Sequence, residues 1–224
     1  HPSGEVVAGI DEFLAVRQFE ATFAGDSAHA GARPEDGDNA VQAMAAAVQN
    51  LYAIPRNSAG GTRVNAGRVG GGTASNIVPE AAFIEGEVRG ETTDLMEYMW
   101  DRAESVLAGA ATMHDCEVDI ERLGDAPSAH SDGALVDVVD RVARRTAGVD
   151  TVVEGDSLGG SEDATYLMQR VQNHGGLAAY VGVGTDHPGG HHTPTFDVAE
   201  RDIAVGIELM ADVINAIADA EPVS

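Results

Sequence analysis

The order of strand and helix patterns over residues 14–123 is the feature that most constrains the fold. Residues 14–25, LAVRQFEATFAG, alternate apolar and polar side chains as a half-buried strand does. Residues 39–52 carry apolar side chains at helical spacing without a breaker. Further predicted elements are strands at 62–69 and 81–89, a helix at 95–113 and a strand at 116–123. This order predicts a ferredoxin-like α+β domain, with Asp94 capping the second helix and Glu97 completing a capping box.

From residue 128 onward, predicted helices and strands alternate. The helices are predicted at 134–146, 164–174 and 200–220, and the strands at 151–154 and 177–184. Alternation of helices with Val-, Ala- and Gly-rich strands predicts an α/β fold with a parallel sheet. Two or three strands are too few for both faces of such a sheet to be buried. Residues 1–13 and 128–224 are therefore expected to form the C-terminal portion of a larger α/β domain. The apolar positions of the last helix make one stripe: Ile203, Ile207, Met210, Val213, Ile214 and Ile217.

The charge balance excludes whole classes of partner. All 13 basic residues are arginine, against 37 acidic residues, which gives a net charge of −24. Such a chain repels nucleic acid and anionic membranes, so neither is expected as a partner. The self-repulsion is screened in molar salt, where the Debye length is about 3 Å, and this composition indicates a halophilic protein.

Cysteine usage and hydropathy indicate a cytoplasmic protein. The single cysteine, Cys116, rules out an internal disulfide and is predicted to lie in the core. No apolar run approaches the roughly 20 residues that a membrane-spanning helix needs, and the first residues lack the pattern of an export signal.

Residues 184–194, GTDHPGGHHTP, bring three histidines into one turn. The glycines exclude a helix here, so His187 and His192 are not paired by helical spacing. Zinc sites need three or four protein ligands, and no H-E-x-x-H or C-x-x-C motif is present. Spacing alone leaves both a metal ligand and a solvated loop open.

Three further segments carry candidate site residues. His29 follows the first strand, where it could donate to an oxyanion or bind a carboxylate, or simply lie on the surface. The loop GGGTASNIVP could bring backbone and the Asn76 amide to a ligand, or serve as a wide hairpin. Glu162 and Asp163 precede a helix, where capping and the helix dipole account for them, and Ser161 lacks the frame of a nucleophile.

Four ordered motifs resemble one family of metal-dependent aminoacylases and carboxypeptidases, which includes bacterial aminobenzoyl-glutamate hydrolases. They are GDSAHAGARPEDGDNAV, GGTASNIVPEAAFIEGEVRG, GGSEDATYLM and GHHTPTFDVAE. The resemblance implies that residues 14–123 are a ferredoxin-like lid that makes a homodimer. It also implies a catalytic α/β domain with two divalent metal ions, zinc or manganese.

The resemblance also implies individual roles. His192 would be a metal ligand, His29 would polarise the scissile carbonyl, and Asn76, with Arg89 as a weaker candidate, would hold the substrate's carboxylate. Glu162 and Asp163 would hold the metal-binding side chains in place without binding the metal ions themselves.

The family's remaining metal ligands and its glutamate base precede the region that matches this chain. We therefore expect an incomplete amidohydrolase of N-acyl or N-aroyl amino acids, inactive by itself. The alternative is a non-catalytic module that dimerises or binds small anions.

Overall fold

The chain forms two compact units in its computed structural model, which describes residues 1–186, 189 and 193–219. The first, Leu14–Ser128, is called the ferredoxin-like unit below. The second, called the three-stranded unit, combines His1–Phe13 with Ala129–Ser224.

Seven strands and five α-helices make up the two units. The strands are β1 (Glu5–Asp11), β2 (Ala15–Ala24), β3 (Thr62–Gly71), β4 (Ala81–Gly90), β5 (Glu117–Ala126), β6 (Thr151–Ser157) and β7 (Gly182–Val183). The helices are α1 (Ala40–Tyr52), α2 (Thr93–Met113), α3 (Gly133–Ala143), α4 (Ala164–Gln172) and α5 (Glu200–Ala218).

The ferredoxin-like unit is one antiparallel sheet covered on one face by α1 and α2. Its strand order is β3-β4-β2-β5, which confirms the predicted fold class. Phe19, Phe23 and Ile84 point to the helices and are fully buried, with the Phe19 and Trp100 rings 5.6 Å apart. Cys116 lies in this core as predicted, where burial raises the pKa of its thiol.

The predicted cap of α2 is wrong by two residues. The N-cap is Thr92, whose side chain accepts a hydrogen bond from the Leu95 amide. With Thr92 as the N-cap, the capping-box position is Leu95 and not Glu97. The two oxygens of Glu97 accept instead from the guanidinium of Arg17, at 2.7 and 2.8 Å. Arg17 is buried under the helices, and a buried charge needs an oppositely charged partner, which α2 supplies as the carboxylate of Glu97.

The three-stranded unit has the strand order β6-β1-β7. β1 runs parallel to β6, from Glu5 opposite Thr151 to Asp11 opposite Ser157, and antiparallel to β7. The predicted parallel pairing is therefore confirmed for β1 and β6 and is wrong for β7. The strand predicted at 177–184 is reduced to two residues, and the central strand β1 lies in a segment to which the sequence pattern assigned no strand.

The apolar stripe of α5 is only partly buried within the described chain. Of its six positions only Val213 is buried, packed with Val6 and Val139. The other five are exposed, Ile207 by 67% and Ile214 by 61%. No helix among the described residues combines the length and apolar character needed to span a membrane.

Asp132 connects three segments of the three-stranded unit. It is the N-cap residue of α3, yet its carboxylate accepts hydrogen bonds from the Ala178 amide and from the side chain of Gln172, both at 2.8 Å. Its own amide donates to the Ala178 carbonyl at 2.7 Å. The Ala178 amide, followed by Gln172, lowers the pKa of Asp132 from its ordinary value.

We predict that Asp132→Asn lowers the stability of this unit by about 1 kcal/mol at pH 7, because a charged acceptor becomes a neutral one. A carboxyl with a lowered pKa stabilises the fold above its unfolded pKa of about 3.9 and loses this effect as the pH falls through its folded pKa. The loss in the variant should therefore shrink below about pH 4. Urea unfolding across this pH range measures it.

Asp137→Asn, on the exposed side of α3, is the matched control, since it removes one negative charge from the same helix. An equal loss of stability in both variants would contradict the role given to Asp132.

Candidate functional site

The backbone segments that carry His29 and Asn76 are neighbours because the pairing of β2 with β4 continues beyond both strands. Three hydrogen bonds extend it: Gly25 N to Glu80 O (2.8 Å), Val78 N to Ala28 O (2.8 Å) and Ala30 N to Asn76 O (3.0 Å). His29 itself forms an antiparallel bridge with Ile77. The two loops that carry His29 and Asn76 in the sequence are thus one two-stranded extension of the sheet.

The exit from β2 requires a glycine. A Cβ atom on Gly25 would overlap the carbonyl oxygen of Asp38, which accepts a hydrogen bond from the Asp26 amide. Asp38 donates in return to the Asp26 carbonyl at 2.9 Å. This close approach fixes the direction in which the chain leaves the sheet towards His29.

The backbone around His29 determines which ring nitrogen carries the proton. The Gly31 and Ala32 amides both donate to Nδ1 of His29, at 3.1 Å each. A nitrogen that accepts these bonds is unprotonated, so the neutral ring carries its proton on Nε2. The turn is closed by the Ala32 and Arg33 amides, which both donate to the His29 carbonyl.

The exposed His29–Asn76 pair can bind a polar substrate group through N–H donors. Nε2–H of His29 suits an oxygen on which negative charge develops, because the turn holds the ring in place before any ligand arrives. Asn76, one residue from the bridge, adds a side-chain amide.

Arg89, the third candidate in this unit, lies far from that pair along β4. It pairs with Val16 at one end of β2, whereas His29 follows the other end, about 25 Å away at strand spacing. Both its Nε and Nη2 atoms donate to the Glu87 carboxylate, at 2.7 and 3.0 Å. Arg89 is therefore engaged by a neighbouring side chain of its own strand.

Glu162 and Asp163 begin α4 in the three-stranded unit. Asp163 is at the N-cap position, but its side chain makes no capping hydrogen bond, and its amide donates to Glu162 Oε1 at 3.2 Å. Glu162 lies near Tyr180. The pKa of this tyrosine is raised, mainly by burial and in addition by the negative charge of Glu162.

The candidate metal ligand His192 lies outside the described residues, as do His187 and His191. Within residues 1–186, 189 and 193–219, no group of three or more His, Cys, Asp or Glu side chains converges as a metal centre would require. The metal-binding role of His192 therefore stays a prediction.

A cavity of about 360 Å³ in the three-stranded unit was not predicted from the sequence. It is lined by His1, Asp156, Leu158 and Phe196, among others. His1 Nδ1 lies 2.7 Å from Glu5, and its Nε2 lies 3.3 Å from Asp156. No local signal could have indicated this group, because β1 and β6 become neighbours only through the sheet.

Comparison with known proteins gives a consistent result. The family model described as the peptidase dimerisation domain of the M20 family matches residues 16–111. An indole-3-acetyl-aspartic acid hydrolase from Enterobacter agglomerans is 43% identical over 94% of this chain, and one of the p-aminobenzoyl-glutamate hydrolase subunits from Escherichia coli is 41% identical over 94%. The chain spans about half the length of the curated relatives it matches, 48% of each of these two.

Solved structures agree with the fold. An aminobenzoyl-glutamate utilization protein from Klebsiella pneumoniae superposes with a TM-score of 0.84 and 40% identity, covering 95% of this chain and 51% of that one. A Bacillus subtilis protein described as a dinuclear metal-binding peptidase of the M20 family has a TM-score of 0.70 at 20% identity, covering 97% of this chain and 54% of that one. At this identity, the second likeness shows the fold alone.

The hydrogen bonds to Nδ1 predict that His29 is the Nε2–H tautomer in the free protein. Gly31→Pro removes one of the two donors and should raise the population of the Nδ1–H tautomer. Long-range ¹H–¹⁵N NMR of the imidazole nitrogens measures this population, and the His29→Gln variant assigns the signals.

Gly31→Ala is the matched control, because it keeps the amide and its Cβ would lie 3.5 Å from the His29 ring, an ordinary contact. The tautomer should be unchanged in this variant. A wild-type His29 that is mainly Nδ1–H would show that the turn does not select the tautomer.

Proposed function

Since the chain belongs to the M20 family of peptidases and amidohydrolases, we propose that it is the dimerisation lid and the C-terminal part of the catalytic domain of an amidohydrolase. The substrate is an N-acyl or N-aroyl amino acid. Two relatives are named for aromatic acyl groups on glutamate or aspartate, which favours a substrate with an aromatic acyl group and an acidic amino acid.

The observation that carries this proposal is the β2–β4 extension, whose two paired backbone segments bring His29 and Asn76 to the same end of the sheet. Nε2–H of His29 donates to the scissile carbonyl oxygen and stabilises the charge that develops there. The Asn76 amide binds the carboxylate of the amino acid. Arg89, the weaker candidate for this anion, is bound to Glu87 at the opposite end of β2, so within one protomer it does not reach the anion that Asn76 binds.

Two divalent metal ions, zinc or manganese, are part of the proposal for the complete enzyme. They would supply an activated water as nucleophile. Because the described residues form no metal centre, we derive no step through the metals. His192 is the proposed ligand from this chain, with Glu162 and Asp163 supporting the site from behind the ligands.

The proposed enzyme is a homodimer that assembles through its lid. The match to a dimerisation domain supports this assembly. Cysteine usage supports a cytoplasmic location, and the net charge of −24 supports a halophilic protein.

We expect the complete polypeptide encoded by the gene to hydrolyse p-aminobenzoyl-glutamate or indole-3-acetyl-aspartate in molar salt with zinc or manganese. Removal of the metals with a chelator should abolish the reaction, and their return should restore it. The 224-residue chain assayed alone should be inactive. If neither compound nor any other N-acyl amino acid is cleaved by the metal-loaded complete protein, the proposal is wrong.

His29→Ala in the complete protein should lower kcat about 10²- to 10³-fold, because one oxyanion donor is lost. Bound metal, measured by elemental analysis, should stay unchanged. His174→Ala, at an exposed position after α4, is the control and should retain activity. Wild-type kcat in His29→Ala would exclude this histidine from catalysis.

A further inference from the structure

The segment that leads into α1 contacts both arms of the β2–β4 extension. The arms are residues 25–30 and residues 76–80, and each carries one of the two candidate substrate-binding residues. We call the contacting segment, residues 37–40, the bracing segment. It connects the turn after the first arm to the first helix of the unit. A change in this segment can therefore reach both candidate residues through the backbone.

Backbone hydrogen bonds join the bracing segment to each arm. Asp38 and Asp26, which lies on the first arm, exchange two of these bonds, at 2.9 and 3.1 Å. The Ala40 amide donates to the Pro79 carbonyl of the second arm at 2.8 Å. The segment thus links the two arms to each other, in addition to the hydrogen bonds that the arms share.

The core of the ferredoxin-like unit holds the bracing segment in place. Asn39 is the N-cap of α1, and its side chain accepts a hydrogen bond from the Gln42 amide at 3.1 Å. Ala40 and Ala43, in the first turn of α1, are fully buried in the core. Because a close-packed interior resists displacement, the start of α1 has a fixed position relative to the sheet. The arms are therefore tied to a rigid part of the unit.

Gly37 is a point of close approach between the bracing segment and both arms. A Cβ atom on Gly37 would lie 2.8 Å from Ala28 Cβ, 2.8 Å from the Asp26 carbonyl oxygen and 3.1 Å from Val78 Cβ. Ala28 precedes His29 in the chain, and its carbonyl accepts the hydrogen bond from the Val78 amide that joins the arms. A side chain at Gly37 would therefore have to push the arms away from the segment.

The backbone conformation of Gly37 does not require glycine. Its φ of −127° and ψ of 146° are extended values, which any residue adopts. The glycine is therefore explained by the lack of space beside the arms and not by a turn. Alanine at this position tests the packing alone.

We propose that Gly37 is a positioning residue for the active site, which lets the bracing segment hold the two arms together and so sets the position of the His29 ring. The inference rests on the proposed role of His29 as a donor to the scissile carbonyl oxygen. A misplacement of about 1 Å can lower a reaction rate about 10²-fold, so a small displacement of the first arm is enough to lower kcat. Gly37 itself has no side chain and acts only through the arms.

Gly37→Ala in the complete protein is the test, and Gly109→Ala is the matched control. Position 109 lies on an exposed part of α2, where, apart from the helix's own backbone, no atom of the described chain lies within 4 Å of the added Cβ. Gly37→Ala should lower kcat about tenfold, and Gly109→Ala should leave it unchanged.

The His29→Ala background separates a positioning role from a general loss of structure. There, Gly37→Ala should cause no further loss of kcat, because the donor that it displaces is already absent. A loss of equal size in the wild-type and His29→Ala backgrounds would overturn the proposal.

Hydrogen exchange gives a readout that does not depend on turnover. The Ala30 and Val78 amides donate between the arms, and they should exchange about tenfold faster in Gly37→Ala than in wild type or Gly109→Ala. Unchanged exchange of both amides would overturn the proposal. Exchange decides whether Gly37 holds the arms together even if the complete protein hydrolyses no N-acyl amino acid, so this inference and the proposed function fail separately.

Ala28→Gly provides a rescue, because it removes one of the atoms that the new Cβ would meet. The double variant Gly37→Ala/Ala28→Gly should recover part of the lost kcat and of the slow exchange, and it also tests the proposal if Gly37→Ala alone does not fold. The absence of any recovery would contradict the proposal, since contact with Ala28 would then not be the cause of the loss.

Discussion

The antiparallel pairing of β2 with β4 is the constraint on which the ferredoxin-like unit depends. Ten consecutive residues pair between Ala15 and Ala24, and β2 also pairs with β5 on its other side. A slip by one residue would turn Phe19 and Phe23 from the core to the open face, so their burial fixes the register. Beyond β2 the pairing shifts by one residue, from Ala24 opposite Ala81 to His29 opposite Ile77, so core packing fixes the strands from which the candidate site extends.

The elements of this unit were predictable because their own side chains indicate burial. Alternation revealed β2, and helical spacing revealed α1 and α2. The cap of α2 was not predictable in the same way, since Thr92 and Asp94 are both good caps. Thr92 is the N-cap, and the carboxylate of Glu97 binds Arg17, which lies 80 positions away in the sequence.

The three-stranded unit was less predictable because its contacts join distant parts of the chain. β1 pairs with β6 across more than 140 residues, and the hydrophobicity of a short segment does not identify the strand with which it pairs.

For the candidate site, the sequence motifs indicated His29 and Asn76 as candidate residues. The tautomer of His29 depends on two backbone amides, which no side-chain pattern encodes.

The two outer strands of the ferredoxin-like sheet differ in charge. An exposed edge strand is a template for uncontrolled pairing, and proteins block such strands with charge. β5 carries four acidic residues and one arginine, whereas β3 carries two arginines and no acid. Like charges along β5 therefore oppose its pairing with a second β5 strand.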